Sequence, residues 1–442
     1  MIVRFAPSPT GYIHVGNVRT ALVNWLFARA HGGTFILRID DTDHTRNEER
    51  FATAIEDDLQ WLGLDWQRKE RQSDYFPDYE KAKEQLIAAG RLYPCYETAE
   101  ELEVKRKMLI SRGLPPVYDR AALKLTDEQK AEYEAEGRKP HWRFKLNHAP
   151  IIWEDMVRGS VRFEGQHLAD PVLVREDGVP LFTLSTSVDD GAMGVTHILR
   201  GEDHVSNTAI QVQIMEALGY KAPTFGHMAL LTMKEGKLSK REGGGDIRSL
   251  REAGFFPMAI ASYLAKIGTS DAIALYPDLA GLIDSFDMTK FGRAMAHYDP
   301  AELQRLNAQL LHDLPYDAVA EQLQKQGLGH IDAAFWDQTK SNIASLDEIA
   351  DWWQILREPI TPVIEDAELT DQAANLLPQE VTEAAWQDMV ATLKTNSGRK
   401  GKQLFMPLRL ALTGRHDGPE LPKIYALLGR EKAAKRLRGE AA

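Results

Sequence analysis

The chain has 442 residues, 43% hydrophobic and 27% charged, the balance of a globular protein long enough for several domains. A formal net charge of −12 argues against nonspecific coating of nucleic acid, though not against an RNA bound through a local basic patch. The single cysteine, Cys95, excludes an intramolecular disulfide framework; with no signal-like or membrane-length apolar run, the expectation is a cytoplasmic protein that makes no membrane contact.

Met1 to Ala6, an apolar run broken by Arg4, reads as a strand. Pro7, Pro9 and Gly11 then force a turn. From Gly16 the apolar residues Val18, Ala21, Leu22, Trp25 and Leu26 recur at helical spacing, and His31-Gly32-Gly33 ends the helix. A strand at Phe35–Ile39 and a helix from about Asn47 to Leu62 complete a doubly wound α/β opening. Residues 81–175 differ in style. Charged helical stretches at Glu80–Ala89 and Ala99–Ser111, then Pro115-Pro116, precede short strands at Trp142–Leu146 and Ser160–Phe163, which predicts an inserted α+β domain. The α/β style returns with strands at Leu181–Val188 and Gly194–Arg200, a helix at Thr208–Leu218 and a strand at Met228–Leu231. From about Leu250 the pattern is nearly all helical, with Trp352, Trp353 and Trp386 at amphipathic positions.

Four segments carry candidate chemistry. His14 and Gly16 sit where a strand feeds a helix. Free N–H groups and the helix dipole favour an anion there, and glycine lets a phosphate approach the backbone. The competing reading is a satisfied histidine in a proline-rich turn. The second segment, Phe35-Ile36-Leu37-Arg38-Ile39-Asp40-Asp41-Thr42-Asp43, places acidic groups past the end of a strand, where open α/β sheets bind ligands. A calcium loop fails there, since Asp41 as first position puts Arg46 and Ala52 where Gly and Glu are needed. A phosphatase-type nucleophile has no supporting motif. The third, Gly194-Val195-Thr196-His197-Ile198-Leu199-Arg200-Gly201-Glu202-Asp203-His204, ends a strand with an arginine whose planar fork suits a carboxylate. The alternative is a surface arginine paired with Glu202 or Asp203. The fourth, Lys237-Leu238-Ser239-Lys240-Arg241, lies between Gly236 and Gly243-Gly244-Gly245. Two lysines on a glycine-flanked loop can neutralise a triphosphate as pyrophosphate leaves.

The C-terminal stretch from Lys394 to Ala442 holds twelve Lys/Arg against four Asp/Glu. Lys394, Arg399, Lys400 and Lys402 form one group, and Arg430, Lys432, Lys435, Arg436 and Arg438 a second. By composition alone these are solvated helix ends. Cys95 has no second cysteine with which to build a structural zinc site, so no zinc is expected.

The run Pro7-Ser8-Pro9-Thr10-Gly11-Tyr12-Ile13-His14-Val15-Gly16-Asn17, paired with Lys237–Arg241 in that order, resembles the HIGH and KMSKS elements of class I aminoacyl-tRNA synthetases, and specifically the glutamyl/glutaminyl family. The stretch from Gly398 through Pro422 resembles the terminal helical segment of the bacterial glutamyl members. The resemblance implies a multidomain α/β plus all-α protein. A Rossmann-type catalytic domain would occupy 1–80 and 176–250, with an inserted acceptor-stem-binding domain at 81–175. A stem-contact helical domain would follow at 251–315 and an all-helical anticodon-binding domain at 316–442.

The resemblance also implies ATP, with Mg2+, held by His14, Gly16, Asn17, Gly201, Glu202, Asp203, Lys237, Leu238, Ser239, Lys240 and Arg241. His14, Gly16, Lys237 and Lys240 would serve the chemistry. Arg4, Ser8, Asp40, Phe182, Thr186 and Arg200 would hold L-glutamate. Partners would be tRNA(Glu), or tRNA(Gln) as well, for a monomeric enzyme. Three departures stand out: Asp40 where many relatives have Glu, Phe182 where they have Tyr, and Thr186 where some have Asn. Alternatives within reach are a glutaminyl enzyme, disfavoured by the helical C-terminus, and a shorter relative that glutamylates a modified tRNA base, disfavoured by length. A non-catalytic tRNA-binding paralogue is disfavoured by the intact lysine loop.

Overall fold

A computed structural model describes residues 1–43, 45–233 and 245–442. The chain divides into two compact units: Met1–Ser249 with Ala261–Asp299, and Leu250–Ile260 with Pro300–Ala442.

In the first unit β1 (Ile2–Phe5), β2 (Thr34–Ile39) and β3 (Arg68–Arg71) form a parallel sheet in that order. Helix α1 (Val15–Ala30) makes the first crossover and α2 (Glu49–Trp61) the second. These strands are apolar on both faces, as a covered parallel sheet requires: Val3, Phe35, Ile36 and Leu37 are fully buried. Helix α3 (Phe76–Ala88) leads to β4 (Leu92–Cys95), and the exposed helices α4 (Ala99–Ser111) and α5 (Asp127–Ala135) follow, each opened by a threonine capping box. Strand β5 (His141–Phe144) comes next, then the hairpin of β6 (Pro150–Asp155) and β7 (Gly159–Glu164), and then β8 (Val172–Val174). The chain continues through α6 (Phe182–Ala192), β9 (His197–Gly201), α7 (Val205–Ala217), β10 (Thr224–Met228) and β11 (Leu231–Met233). Helices α8 (Ile247–Glu252), α9 (Pro257–Lys266) and α10 (Leu279–Asp284) precede β12 (Ala296–Tyr298), which pairs with β11.

Two pairings position the site. Thr196 N–H donates to the Ile2 carbonyl, so the approach to β9 lies beside β1, and β10 then pairs in parallel with β9. The order β3-β2-β1-β9-β10 reverses direction of growth between β1 and β9, the place where open α/β sheets bind ligands past their carboxyl ends. The inserted segment does not stay apart from this sheet. Strands β4, β5 and β8 make their own antiparallel sheet, but β6 pairs in parallel with β10 through Phe225 and Asp155.

One expected strand is a helix. Leu181–Val188, rich in Ser, Thr and Val, has strand propensity, yet forms most of α6. The hydroxyls turn inward on their own helix, Ser187 Oγ donating to Thr183 O and Ser185 Oγ to Phe182 O, and Leu184 and Val188 pack into the core with Ile214 of α7 and Leu218 just past it. The expected strand at Met228–Leu231 straddles a break: β10 ends at Met228 and β11 begins at Leu231.

The second unit is helical from α11 (Pro300–Asp313) and α12 (Tyr316–Lys325) through α13 (Ala333–Thr339), α14 (Asp347–Arg357), α15 (Ala367–Leu376), α16 (Glu383–Ser397), α17 (Lys402–Thr413) and α18 (Leu421–Leu437). Asp332, Asp366 and Thr382 cap α13, α15 and α16 through their side chains. Trp336, Trp352 and Trp386 all lie in one core with leucines of every helix from α11 to α18 except α13, which adds Phe335. Gly418 closes on that core at φ 121°, and a Cβ there would lie 1.9 Å from the Trp352 ring, so no other residue fits.

Candidate active site

Helix α1 starts with an unusual cap. His14 is extended, and its Nδ1 accepts from the N–H groups of Gly16 (3.1 Å) and Asn17 (3.4 Å), while its own N–H donates to Asn17 Oδ1 (3.3 Å). A neutral ring accepting at Nδ1 carries its proton on Nε2. A Cβ on Gly16 would sit 3.0 Å from the imidazole, so glycine is what lets His14 fold over its own helix end. The segment 245–247 returns here: Val15 N–H donates to Gly245 O at 2.7 Å and Ile247 N–H to Ile13 O at 3.2 Å. Lys237, Leu238, Ser239, Lys240 and Arg241 lie outside the described residues, between β11 and Gly245.

At the ends of β1 and β2 a buried charge cluster forms. Arg4 makes a two-pronged contact with Asp190, Nε to Oδ1 at 3.1 Å and Nη2 to Oδ2 at 3.2 Å. Arg38, wholly buried, reaches Asp40 from Nε at 2.7 Å and Asp190 from Nη1 at 2.8 Å. Burial works against its charge, but the carboxylates of Asp40, Asp190 and Asp189 outweigh it and hold the guanidinium firmly protonated. The same burial raises Asp40, against Arg38 and Arg4. Asp190 goes the other way, held low by Arg4 and Arg38 despite burial. Burial pushes Asp189 up to about 7; Arg38 opposes this, Asp40 adds to it, and Gln72 and Tyr79 donate to its carboxyl group. The Pro7 carbonyl accepts from Asp40 N–H at 2.9 Å, which ties the turn bearing the exposed Ser8 to this cluster.

Arg200, near the end of β9, is only 5% exposed and pairs with neither Glu202 nor Asp203. Its Nη2 donates to Thr208 Oγ1 and Gln211 Oε1, both at 2.7 Å, and its Nε to His227 Nε2 at 3.3 Å. Among the described residues its Nη1 has no partner, and neither do Gln211 Nε2 and Thr186 Oγ1. Burial, and then the charge of Arg4, lowers the Arg200 guanidinium to about 9, still cationic at neutral pH. Phe182, 40% exposed, stands 5.5 Å ring to ring from His204, which follows Arg200 in the turn. Glu202 accepts from Arg158 Nη1 at 2.7 Å.

The structure therefore brings Arg4 and Asp40 together through Arg38 and Asp190, and sets Arg200 close enough for Arg4 to weaken its proton affinity. Arg4 turns its fork to Asp190 and Asp40 turns its carboxyl group to Arg38. Sequence reasoning passed over Arg38, Asp189, Asp190, Gln72, Asp155, Thr208, Gln211 and His227. Arg38 stood inside the quoted acidic run, and a charged residue in the middle of an otherwise apolar buried strand was the available signal. In the helical unit, Arg436 of the second basic group is fully buried rather than solvated, while Lys394, Lys400 and Lys402 of the first are exposed. Cys95 is buried, and burial pushes its thiol up to about 12. Among the described residues no three His, Cys, Asp or Glu side chains are grouped to hold a metal ion, and no helix is long and apolar enough to cross a membrane.

Comparison with known proteins fits this geometry. Residues 1–305 match the model of the catalytic domain of class I tRNA synthetases (E and Q), and residues 333–440 match an anticodon binding domain. The chain is 52% identical to glutamate–tRNA ligase 1 of Maricaulis maris over 443 residues, covering 100% of this chain and 99% of that one. It is likewise 52% identical to the glutamate–tRNA ligase of Azospirillum brasilense, with the same coverage. The crystal structure of the glutamate–tRNA synthetase from Elizabethkingia anophelis superposes with a TM-score of 0.85 at 27% identity, covering 99% of this chain and 98% of that one. With a buried arginine pair at the switch point of a doubly wound sheet, a histidine-capped first helix and both domain matches, the chain belongs to the glutamate–tRNA ligase family of class I aminoacyl-tRNA synthetases.

Proposed function

We propose that the protein joins L-glutamate to tRNA(Glu) through a glutamyl-adenylate, and that Arg200 receives the side-chain carboxylate. The observation that carries this is a guanidinium buried in the cleft with an unused Nη1 donor and only neutral groups on its other edges. A buried cation without a carboxylate partner is suited to bind one. Asp40 and the Asp189–Asp190 pair would supply the negative field for an α-ammonium, with Ser8, Phe182 and Thr186 as further glutamate-binding residues.

ATP enters as its magnesium complex. His14, Gly16, Asn17 and Gly201 to Asp203 would hold it, with Lys237 to Arg241 acting on the departing pyrophosphate. The α-carboxylate attacks the α-phosphate, pyrophosphate leaves, and a terminal ribose hydroxyl of the tRNA then attacks the activated carbonyl, releasing AMP. The protein's part is positioning and charge stabilisation. The catalytic parts are 1–80 and 176–250. Residues 81–175 would receive the acceptor stem, 251–315 the stem beyond it, and 316–442 the anticodon arm, with exposed Lys394, Lys400 and Lys402 toward RNA phosphate. The enzyme works as a cytoplasmic monomer without zinc.

Pyrophosphate exchange, with and without tRNA, and charging with glutamate and with glutamine, in wild type and Arg200→Gln, test this. Glutamate is the amino acid expected to be activated, and the variant should lose about two to three decades of glutamate kcat/KM while keeping its KM for ATP. A wild-type preference for glutamine, or an unimpaired variant, overturns the assignment. Charging purified tRNA(Glu) and tRNA(Gln) separately decides whether both are substrates.

A further inference from the structure

Three adjacent parallel strands each contribute one residue to a buried chain of hydrogen bonds that ends on Arg200. Asp155 is the last residue of β6, His227 lies in β10, and Arg200 lies in β9 in register with His227. Asp155 is fixed first. Its Oδ1 accepts from the N–H groups of Val157 and Arg158 at 3.0 Å and of His227 at 3.1 Å, which aims Oδ2 at the His227 ring. Oδ2 meets His227 Nδ1 at 2.5 Å.

The tautomer follows from the other side of the ring. A guanidinium can only donate, so His227 Nε2, which faces Arg200 Nε, holds a lone pair, and the ring proton sits on Nδ1 and is donated to Asp155. Thr208 completes the chain: its Oγ1 accepts from Arg200 Nη2 and lies 2.9 Å from His227 Nε2 and 3.3 Å from the His204 carbonyl, which compete for its one proton. Phe225, in the same strand as His227, places its ring 5.6 Å beneath the Arg200 guanidinium. Nε and Nη2 of Arg200 are thus committed, and among the described residues Nη1 has no partner.

Arg4 shows the contrast. It is met head-on by a carboxylate, which cancels its charge locally. Arg200 has the imidazole ring between itself and Asp155, so it is oriented by a carboxylate without being neutralised by one.

We propose that His227 and Asp155 are positioning residues for amino-acid selection: they turn Arg200 so that its free Nη1 edge meets the side-chain carboxylate of the substrate. This rests on Arg200 being that ligand. It also makes β6, from the segment between β5 and β8, part of the selectivity of the catalytic sheet.

The test is steady-state pyrophosphate exchange with full-length protein, measuring KM for glutamate, KM for ATP, kcat and thermal midpoint. The variants are His227→Leu, which fills the space with no acceptor, His227→Gln, whose side-chain carbonyl can accept where Nε2 did, and Arg200→Gln. His227→Leu should raise KM for glutamate at least about tenfold, with kcat and KM for ATP within about threefold of wild type. His227→Gln should restore most of the loss. If His227→Leu does not fold, Thr208→Val, which removes the bridging hydroxyl, should give a smaller shift in the same parameter. A glutamate KM unmoved in the His227 variants while Arg200→Gln raises it overturns the positioning role alone. Equal rises in the KM for glutamate and ATP, or a glutamine variant no better than leucine, also overturn it. An unmoved KM in Arg200→Gln removes the ligand reading, and this proposal with it.

Discussion

The two units bury arginine in opposite ways. In the catalytic unit Arg4 and Arg38 face Asp40, Asp189 and Asp190 across strand ends. In the helical unit Arg436 is equally buried but donates to carbonyls: Nη1 to Ile355 O and Leu412 O at 2.7 Å, and Nη2 to Glu358 O at 2.8 Å. Those carbonyls lie at the C-terminal ends of α14 and α17, where helix dipoles present partial negative charge. Its Nε donates to Ala442 O at 2.8 Å, and burial lowers its guanidinium to about 10. A cation balanced by carboxylates belongs to a group whose charge changes with pH and with a bound ion. A cation held mainly by backbone oxygens at helix ends serves packing.

The largest effect that would sharpen this comparison is at Arg38. Arg38→Met strands Asp40 and Asp190 in the interior without their shared cation, and should cost about 3–5 kcal/mol in urea unfolding or prevent folding. A loss below about 1 kcal/mol would mean the cluster is not held by its charges. Arg436→Met should cost somewhat less, about 2–4 kcal/mol, by leaving three carbonyls without donors, and its pyrophosphate exchange at 25 °C should match wild type. Exchange that falls with stability in this variant would break the division between a responsive and a fixed arginine.

Smaller again is the effect at Asp189. Its carboxyl group is raised from 3.8 to about 7 in the folded protein, so the stability it contributes is complete below pH 3.8 and is lost as pH rises through about 7. Asp189→Asn imitates the protonated form and should flatten that decline, its stability changing little between about pH 4 and 7 where wild type loses stability. An unchanged pH profile would show that Asp189 is ionised throughout. The smallest expected effect is at Cys95, which should stay unmodified by a thiol reagent at pH 8 in the native protein and react once it is unfolded.

Sequence periodicity located α1, β2 and α4 because each buries or exposes its residues by a local rule. It failed at Leu181–Val188 because propensity favoured a strand and the packing of α6 on α7 decided otherwise. The hairpin was half visible: the alternation at Ser160–Phe163 marked β7, but β6 opens with a proline and its pairing with β10 is a distant event. The site divides the same way. His14, Gly16 and Arg200 are legible because motif and position act locally. Their partners are not: Arg4 meets Asp190 across 186 residues and His227 meets Asp155 across 72. Nothing in the neighbourhood of either aspartate announces its partner.

That separation has a consequence for biogenesis. At a synthesis rate of about 5–20 residues per second, Asp190 leaves the ribosome roughly ten to forty seconds after Arg4. Arg38 emerges in the interval with its strand already able to pair beside β1. Until α6 arrives, the half-built sheet carries two buried-type cations with no anion but Asp40, and a strand edge that β9 will later cover. The nascent chain is therefore a poor substrate for early consolidation. The buried arginine–aspartate cluster is among the last parts of the catalytic unit to acquire its native form, after both halves of the sheet have been translated.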